Sequence, residues 1–255
     1  MRLKNKSIIV TGSTTGIGQA IARRCVAEGA RVLVHGLERD LGEKMLSELG
    51  SAGALHIDDL SDPDTATRIV AAAVKAFGTV DAIVNNAAFI VRSNLQTTDA
   101  DLFDRAMAIN VRAPLLLARA AMPYLKDRQG CMLNIGSING YCGEANQLAY
   151  SVSKGALMTL TRNLADAHGR DRVRFNQMNL GWVLSENEYK LKMREGLPAD
   201  WPEHPPTAFA PSGKIMQPET IATAAVYWLS DESRPVSGSV VEIEQYPVIG
   251  RNPMK

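Results

Sequence analysis

Apolar residues recur along this chain in two alternating patterns. Short apolar runs at 7–10, 31–35, 54–57, 82–84, 132–135, 173–178 and 240–243 read as strands buried on both faces. Between them, segments at 17–27, 64–77, 102–124, 150–167 and 219–229 carry apolar residues at helical period. Such alternation predicts a parallel sheet covered by helices on both faces, and right-handed crossovers make it doubly wound. No repeat or low-complexity linker interrupts the pattern. The expectation is one α/β domain over 1–255, with seven mostly parallel strands.

Residues 183–217 break that rhythm. They include Asn187, Glu188, Trp201, Pro202, Pro205, Pro206 and Pro211, and the segment is long for a connection inside a compact domain. It leaves the carboxyl end of a predicted strand, the side of such a sheet where ligands bind. A lid over a substrate site is expected there.

Composition narrows the function classes. The chain has 255 residues, 45% hydrophobic and 22% charged, which is ordinary globular usage and enough for a core without staples. A net charge of +1 gives no footprint for nucleic acid. No apolar run reaches bilayer length, and the basic start has no leader-like apolar stretch, so no membrane partner and a cytoplasmic location are expected. Cys25, Cys131 and Cys142 are odd in number without Cys-x-x-Cys spacing, and the four histidines stand singly. Neither a disulfide framework nor a metal site is expected.

The candidate chemistry begins where the first run, Ser7 to Val10, enters Thr11-Gly12-Ser13-Thr14-Thr15-Gly16-Ile17-Gly18 and then a helical pattern. Glycines let backbone approach a pyrophosphate closely, and a helix N-terminus offers it free amides and partial positive charge. Further on, Tyr150 and Lys154 stand four apart on a predicted helix and share a face. A free phenol titrates near ~10, too high for a base at neutral pH. A nearby ammonium is expected to lower it, and a phenol so tuned can exchange a proton with a substrate oxygen. Pro114 follows Asn110 by four residues and lacks an amide hydrogen, which frees the Asn110 carbonyl to hold water.

The Thr-Gly-x-x-x-Gly-x-Gly spacing resembles the short-chain dehydrogenase/reductase family. Other segments agree in order and spacing over about residues 5–244. Asn85-Asn86-Ala87-Ala88 resembles the family's Asn-Asn-Ala-Gly element, and Asp59 follows the third strand where the family has an aspartate near the adenine. Ser137 follows the fifth strand, and Tyr150 with Lys154 matches Tyr-x-x-x-Lys. The resemblance implies a Rossmann-type fold and hydride transfer between a nicotinamide and a secondary alcohol or ketone. It implies four catalytic residues: Tyr150 as acid or base, Ser137 holding the reacting oxygen, Lys154 also holding the nicotinamide ribose, and Asn110 in a water relay to the lysine. It implies cofactor contacts from Gly12, Ser13, Thr15, Gly16, Ile17 and Gly18 in the turn. Further contacts are implied from Gly36, Asp59, Leu60, Asn86, Ala87, Tyr150 and Lys154, and from Gly181, Val183 and Ser185. It also implies a homotetramer.

The chain departs from the family in places. Leu180 replaces the proline of Asn-Pro-Gly, which puts the rigidity of that turn in question, and Glu244-Gln245-Tyr246 replaces Asp-Gly-Gly. The tail 247–255 is expected to meet a neighbouring subunit or cover the cleft. Gly36 stands where an acid would select NAD. Its lack of charge leans to NADP, with NAD the alternative, since Glu38 and Arg39 pull in opposite directions. Phe89, Arg92, Asn139, Glu144, Trp182 and Trp201 are expected to line the substrate site. Hydrogen-bonding groups beside flat apolar platforms suggest a sugar, polyol or related hydroxy compound. A 3-oxoacyl-thioester reductase is an alternative, although 183–217 lacks the basic entrance a phosphopantetheine carrier would need. A non-catalytic NAD(P)-binding redox sensor is another, and it would have no use for Tyr150 and Lys154.

Overall fold

The computed structural model describes residues 1–248. Its centre is a seven-stranded sheet in the order β3-β2-β1-β4-β5-β6-β7. The strands are β1 (Ser7–Val10), β2 (Arg31–Gly36), β3 (Gly53–Ile57), β4 (Ala82–Asn85), β5 (Cys131–Ser137), β6 (Arg174–Leu180) and β7 (Val240–Ile243). Every neighbouring pair is parallel. The order turns back between β1 and β4, so the crevice for a ligand opens at their carboxyl ends.

The period-2 alternation of the strands sorts the core into two layers. Ile8, Val10, Val32 and Val34 pack with α1 (Gly16–Ala27), α2 (Arg39–Leu49) and α9 (Pro218–Leu229). Ile9, Leu33 and Ile83 face the other way, against α3 (Thr65–Phe77), α5 (Ala113–Arg128) and α7 (Leu148–His168), the last preceded by the short α6 (Asn139–Cys142). All seven expected strands are present, each within a few residues of its expected ends.

The long helix expected over 102–124 is built differently. It divides into α4 (Ala100–Met107), a π-helical turn (Ala108–Arg112) and α5. Asp99 caps α4 by accepting the Leu102 amide at 2.8 Å. The π turn has a visible cause. Pro114 brings no amide hydrogen to the carbonyl of Asn110, and the Ala113 amide reaches back to the Ala108 carbonyl instead.

Residues 183–217 hold structure of their own. The segment contains α8 (Glu186–Arg194) and a 3-10 turn (Trp201–Glu203). Its stem is closed by a bridge between Val183 and Met216 and by the Leu184 amide donating to the Met216 carbonyl at 2.8 Å. Trp201, Ala210 and Ile215 form a small core inside it, packed with Trp182, Leu184, Tyr189 and Leu197.

Candidate active site

The glycine turn is fixed by contact with the end of β4. Gly12 and Gly16 have φ of 60° and 58°, the left-handed region that favours glycine. A Cβ on Gly12 would lie 2.8 Å from Ala87 Cα, and one on Gly18 would lie 2.3 Å from the Gly12 carbonyl oxygen. Asn86 bolts the same contact together. Its Nδ2 donates to the Thr11 and Gly12 carbonyls at 3.0 and 2.9 Å, while the amides of Asn86 and Ala87 donate to Thr11 Oγ1. Ser13 is used up inside the turn: its hydroxyl donates to the Val10 carbonyl at 2.7 Å and accepts the His35 amide at 3.1 Å. Ser13 and Gly18 line no part of the groove and act on it through packing.

His35, at the end of β2, is buried and held near pKa 4 by that burial, with His56 adding to the shift, so it is neutral. A neutral ring lets Nδ1 accept from the Gly12 amide at 3.4 Å while Nε2–H donates to the Asp58 carbonyl at 3.1 Å. The histidine thus links the turn to β3.

From this turn a groove of about 330 Å³ runs over the ends of β1 and β2. Gly12, Thr15, Gly16, Gly36, Asp59 and Leu60 line it, with Asn86 and Ala87 on its β4 side. A cradle in which only glycine fits, opening at the start of α1, suits a dinucleotide pyrophosphate. Gly36 has a steric reason of its own: a Cβ there would sit 2.5 Å from Thr14 Cγ2.

The groove continues into a larger cleft of about 1130 Å³, since Ile17, Asn86, Ala88, Ile90 and Ser185 line both. Ser137, Tyr150 and Lys154 meet there, and Gly181 and Val183 line the same cleft. The end of β5 delivers Ser137, and the first two turns of α7 deliver the other two. Lys154 Nζ lies 5.6 Å from the centre of the Tyr150 ring and donates to the Ile135 carbonyl at 2.7 Å. Tyr150 and Lys154 are 8% and 3% exposed.

That burial overturns one expectation. Desolvation pushes the Tyr150 phenol up to about 12, although the Ser137 hydroxyl beside it pulls the other way. It also pushes the Lys154 ammonium down to about 8. In the protein alone the lysine does not lower the tyrosine, because burial penalises the charged form of both groups.

The expected substrate residues divide. Arg92, Asn139, Glu144 and Trp182 line the cleft. Phe89 does not: it lines the dinucleotide groove, with the Arg105 guanidinium 4.9 Å from its ring centre. Trp201 does not either. It is buried behind Trp182, stacked at 5.3 Å and 14°, and supports the 183–217 segment from within. Arg92 is engaged at the rim by Glu195, at 2.9 Å, and fastens the end of α8 to the body. Asn110 lies outside both cavities. Its Oδ1 accepts the Phe89 amide at 2.8 Å, and its Nδ2 donates to the Phe89 carbonyl and to Ser153 Oγ. It therefore ties the loop after β4 to α7.

Two departures from the family pattern lie side by side. Leu180 keeps β6 in register with Ser137 and Ile243, and the Gly181 amide donates to the Ile243 carbonyl at 3.0 Å. Glu244 packs its carboxylate where a Cβ of Gly181 would be, and Oε2 accepts the Trp182 amide at 3.3 Å. The turn is thus tied by hydrogen bonds to β7 and to the residue that follows it. Glu244, Tyr246 and Val248 line the cleft, while 249–255 of the predicted tail lie outside the described residues. Sequence patterning had no means of finding Glu244, His35 or the packing role of Trp201, since each depends on a partner far along the chain.

Known proteins resemble this chain over nearly its whole length. A family model described as enoyl-(acyl carrier protein) reductase matches residues 12–245. The chain is 29% identical over 249 residues to the meso-2,3-butanediol dehydrogenase of Serratia marcescens, covering 96% of this chain and 95% of that protein. It is 33% identical over 249 residues to the 2-(S)-hydroxypropyl-CoM dehydrogenase 3 of Xanthobacter autotrophicus, covering 95% and 96%. Among solved structures, a 3-ketoacyl-(acyl-carrier-protein) reductase from Brucella melitensis complexed with NADH superposes with a TM-score of 0.84 at 24% identity, covering 94% and 97%.

Proposed function

The chain belongs to the short-chain dehydrogenase/reductase family and is an NAD(P)-dependent oxidoreductase of CH–OH groups; from that premise we propose that Tyr150, Ser137 and Lys154 interconvert a secondary hydroxyl and a ketone on polyhydroxylated small molecules. The supporting observation is the convergence of these three side chains on one cleft that opens directly into the glycine-lined groove.

A bound nicotinamide supplies the hydride acceptor or donor. The residues manage the oxygen. Ser137 Oγ donates to the reacting oxygen and stabilises negative charge as it develops. Tyr150 Oη passes its proton to that oxygen in carbonyl reduction and takes it back in alcohol oxidation. With the phenol held near 12 in the protein alone, reduction starts from the form present at neutral pH, whereas oxidation needs the phenolate and gains as pH rises. Lys154, still largely an ammonium at pH 7, holds the ribose beside the phenol. The Asn110 carbonyl, denied its helical partner by Pro114, holds water in the relay to Lys154, and its side chain positions the Phe89 backbone.

The proposed cofactor is NAD. Gly36 is demanded by Thr14, so its lack of an acid carries no message about the ribose. Two residues on, Glu38 lines the groove, and no lysine or arginine of the β2–α2 turn does. A 2′-phosphate there would meet a carboxylate. Polyhydroxylated substrates are supported by the polar side chains of Asn139, Glu144 and Gln147 and the flat Trp182 ring, all of which line the cleft. A homotetramer, carried over from the resemblance, and a cytoplasmic location, expected from the pattern of apolar runs, complete the proposal.

The test is the reduced-nicotinamide absorbance with NAD and NADP against sugars, polyols, steroids and acyl thioesters. The proposal expects turnover of polyols with NAD. Tyr150→Phe should cost roughly 10²–10⁴-fold in kcat, with cofactor affinity kept. Turnover of thioesters alone would contradict it.

A further inference from the structure

The amino end of α8 carries a motif that has been put to another use. Ser185 caps the helix, its Oγ accepting the Glu188 amide at 3.1 Å. Ser185 and Glu188 thus have the spacing of a capping box, in which the glutamate side chain returns to the amide of the cap residue. Here the Ser185 amide goes to the Val183 carbonyl instead, at 3.0 Å. The Glu188 carboxylate turns away, and Oε1 accepts the Trp182 indole N–H at 2.8 Å. Trp182 is itself clamped by stacking on Trp201 and by the T-shaped contact of Phe209 at 6.3 Å.

This holds a carboxylate in the wall of the cleft that contains Ser137 and Tyr150. Its charge lies close enough to help keep the Tyr150 phenol protonated. Among the described residues no donor of the protein is bonded to Oε2. Of the other acids of the cleft, Glu195 is occupied by Arg92 and Lys192 and Glu244 by the Trp182 and Gln245 amides, while Glu144 is exposed to solvent. A half-buried carboxylate with one oxygen open beside a reacting centre favours a ligand that brings a hydrogen-bond donor to it.

We propose that Glu188 is a specificity-determining residue whose open oxygen accepts a hydrogen bond from a second hydroxyl beside the reacting carbinol, so that vicinal diols and α-hydroxy ketones are preferred over simple secondary alcohols. The inference rests on the proposed function of the cleft and assigns its selectivity to one side chain.

The experiment compares kcat/KM for a vicinal diol with that for the matching mono-alcohol, in the full-length protein and in Glu188→Gln. Glutamine keeps an oxygen for the Trp182 indole and presents an amide N–H₂ where the open carboxylate oxygen stood. Both substrates are read on the same variant, so a general loss cancels in the ratio. The diol preference should fall roughly 10- to 100-fold, the range for a hydrogen bond to a charged group. Glu188→Asp, which keeps the charge but withdraws the oxygen by one methylene, should lower the same ratio and provides a second reading should the glutamine variant fold poorly. Titration of the tryptophan fluorescence with diol should show the matching loss of affinity without turnover. An unchanged ratio in both variants overturns the inference while leaving the proposed function standing, as does a wild-type protein that favours the mono-alcohol. A protonated 1,2-amino alcohol outpacing the diol overturns the choice of a neutral hydroxyl. Failure of the wild-type protein to oxidise any alcohol would instead remove the reading of the cleft itself.

Discussion

The glycine turn and residues 183–217, the proposed lid, border one continuous cleft and are built on opposite principles. The turn is held by exclusion: a Cβ at Gly12, Gly18 or Gly36 would come within 2.8 Å of a neighbouring atom, so its shape is set by what cannot be there. The lid is held by attraction. Trp201 stacks on Trp182 and Tyr189, Trp182 bonds Glu188, and Arg92 pairs with Glu195. A site fixed by exclusion binds one ligand shape in any member of the fold. A site fixed by side-chain attraction can be rebuilt for another substrate without disturbing the sheet. The contrast predicts that damage to the turn is read in cofactor binding, and damage to the lid in substrate KM.

Gly18→Ala should show the largest effect. Its methyl would meet the Gly12 carbonyl and the Asn86 side chain, both bonded to each other. Two lost decades of NAD affinity correspond to about 2.7 kcal/mol, within the cost of overpacking a rigid site. Calorimetric titration with NAD checks it. Normal affinity would show that the turn yields.

Trp201→Ala comes next. Removing a buried tryptophan costs about 3–5 kcal/mol where a core cannot collapse, and here the cost should fall on the lid. Hydrogen exchange should rise over residues 186–216 and substrate KM should increase at least tenfold, while the NAD dissociation constant stays within about twofold. Loss of both together would erase the distinction between the two regions.

A pH experiment probes the turn alone. The folded pKa of His35, about 4, lies below its ordinary 6.5, so the unfolded chain takes up the proton first. This contribution to stability is complete above pH 6.5 and is lost as pH falls from 6.5 towards 4. Thermal melts across that range should show a steeper acid limb in the wild type than in His35→Asn, with NAD affinity falling in parallel and lid exchange unaltered at pH 7.

The smallest effect belongs to Arg92→Ala. Its ion pair with Glu195 is half-exposed and is worth about 0.2–1 kcal/mol. A severalfold rise in substrate KM, shrinking in high salt, is expected, with no change in melting temperature.

The same contrast explains what the sequence disclosed. Strands such as Ile8 to Val10 and the turn after them were legible because a short continuous apolar run and glycine spacing are local signals. The convergence of Ser137, Tyr150 and Lys154 was legible because β5 and α7 lie close along the chain, with only the short helix Asn139–Cys142 between them, at the spacing that resembles the family's. The fate of Phe89 and Trp201 was not, since an aromatic residue after a strand can face the cleft or support it, and only tertiary placement decides. Helix α8 has no buried residue and left no apolar period to read. The π turn before Pro114 was hidden for the opposite reason: its residues keep a helical period, and only the displaced hydrogen bond marks it.

The central claim is that a hydride leaves the carbinol carbon while Tyr150 handles the proton. It is tested most directly with a vicinal diol deuterated at both carbinol carbons, incubated with the protein and NAD, and followed by mass spectrometry of the reduced cofactor. The account predicts one deuterium per reduced nicotinamide, and a rate cut by at least two decades in Tyr150→Phe with the same labelling. Reduced cofactor free of deuterium, or full activity without the phenol, would contradict it.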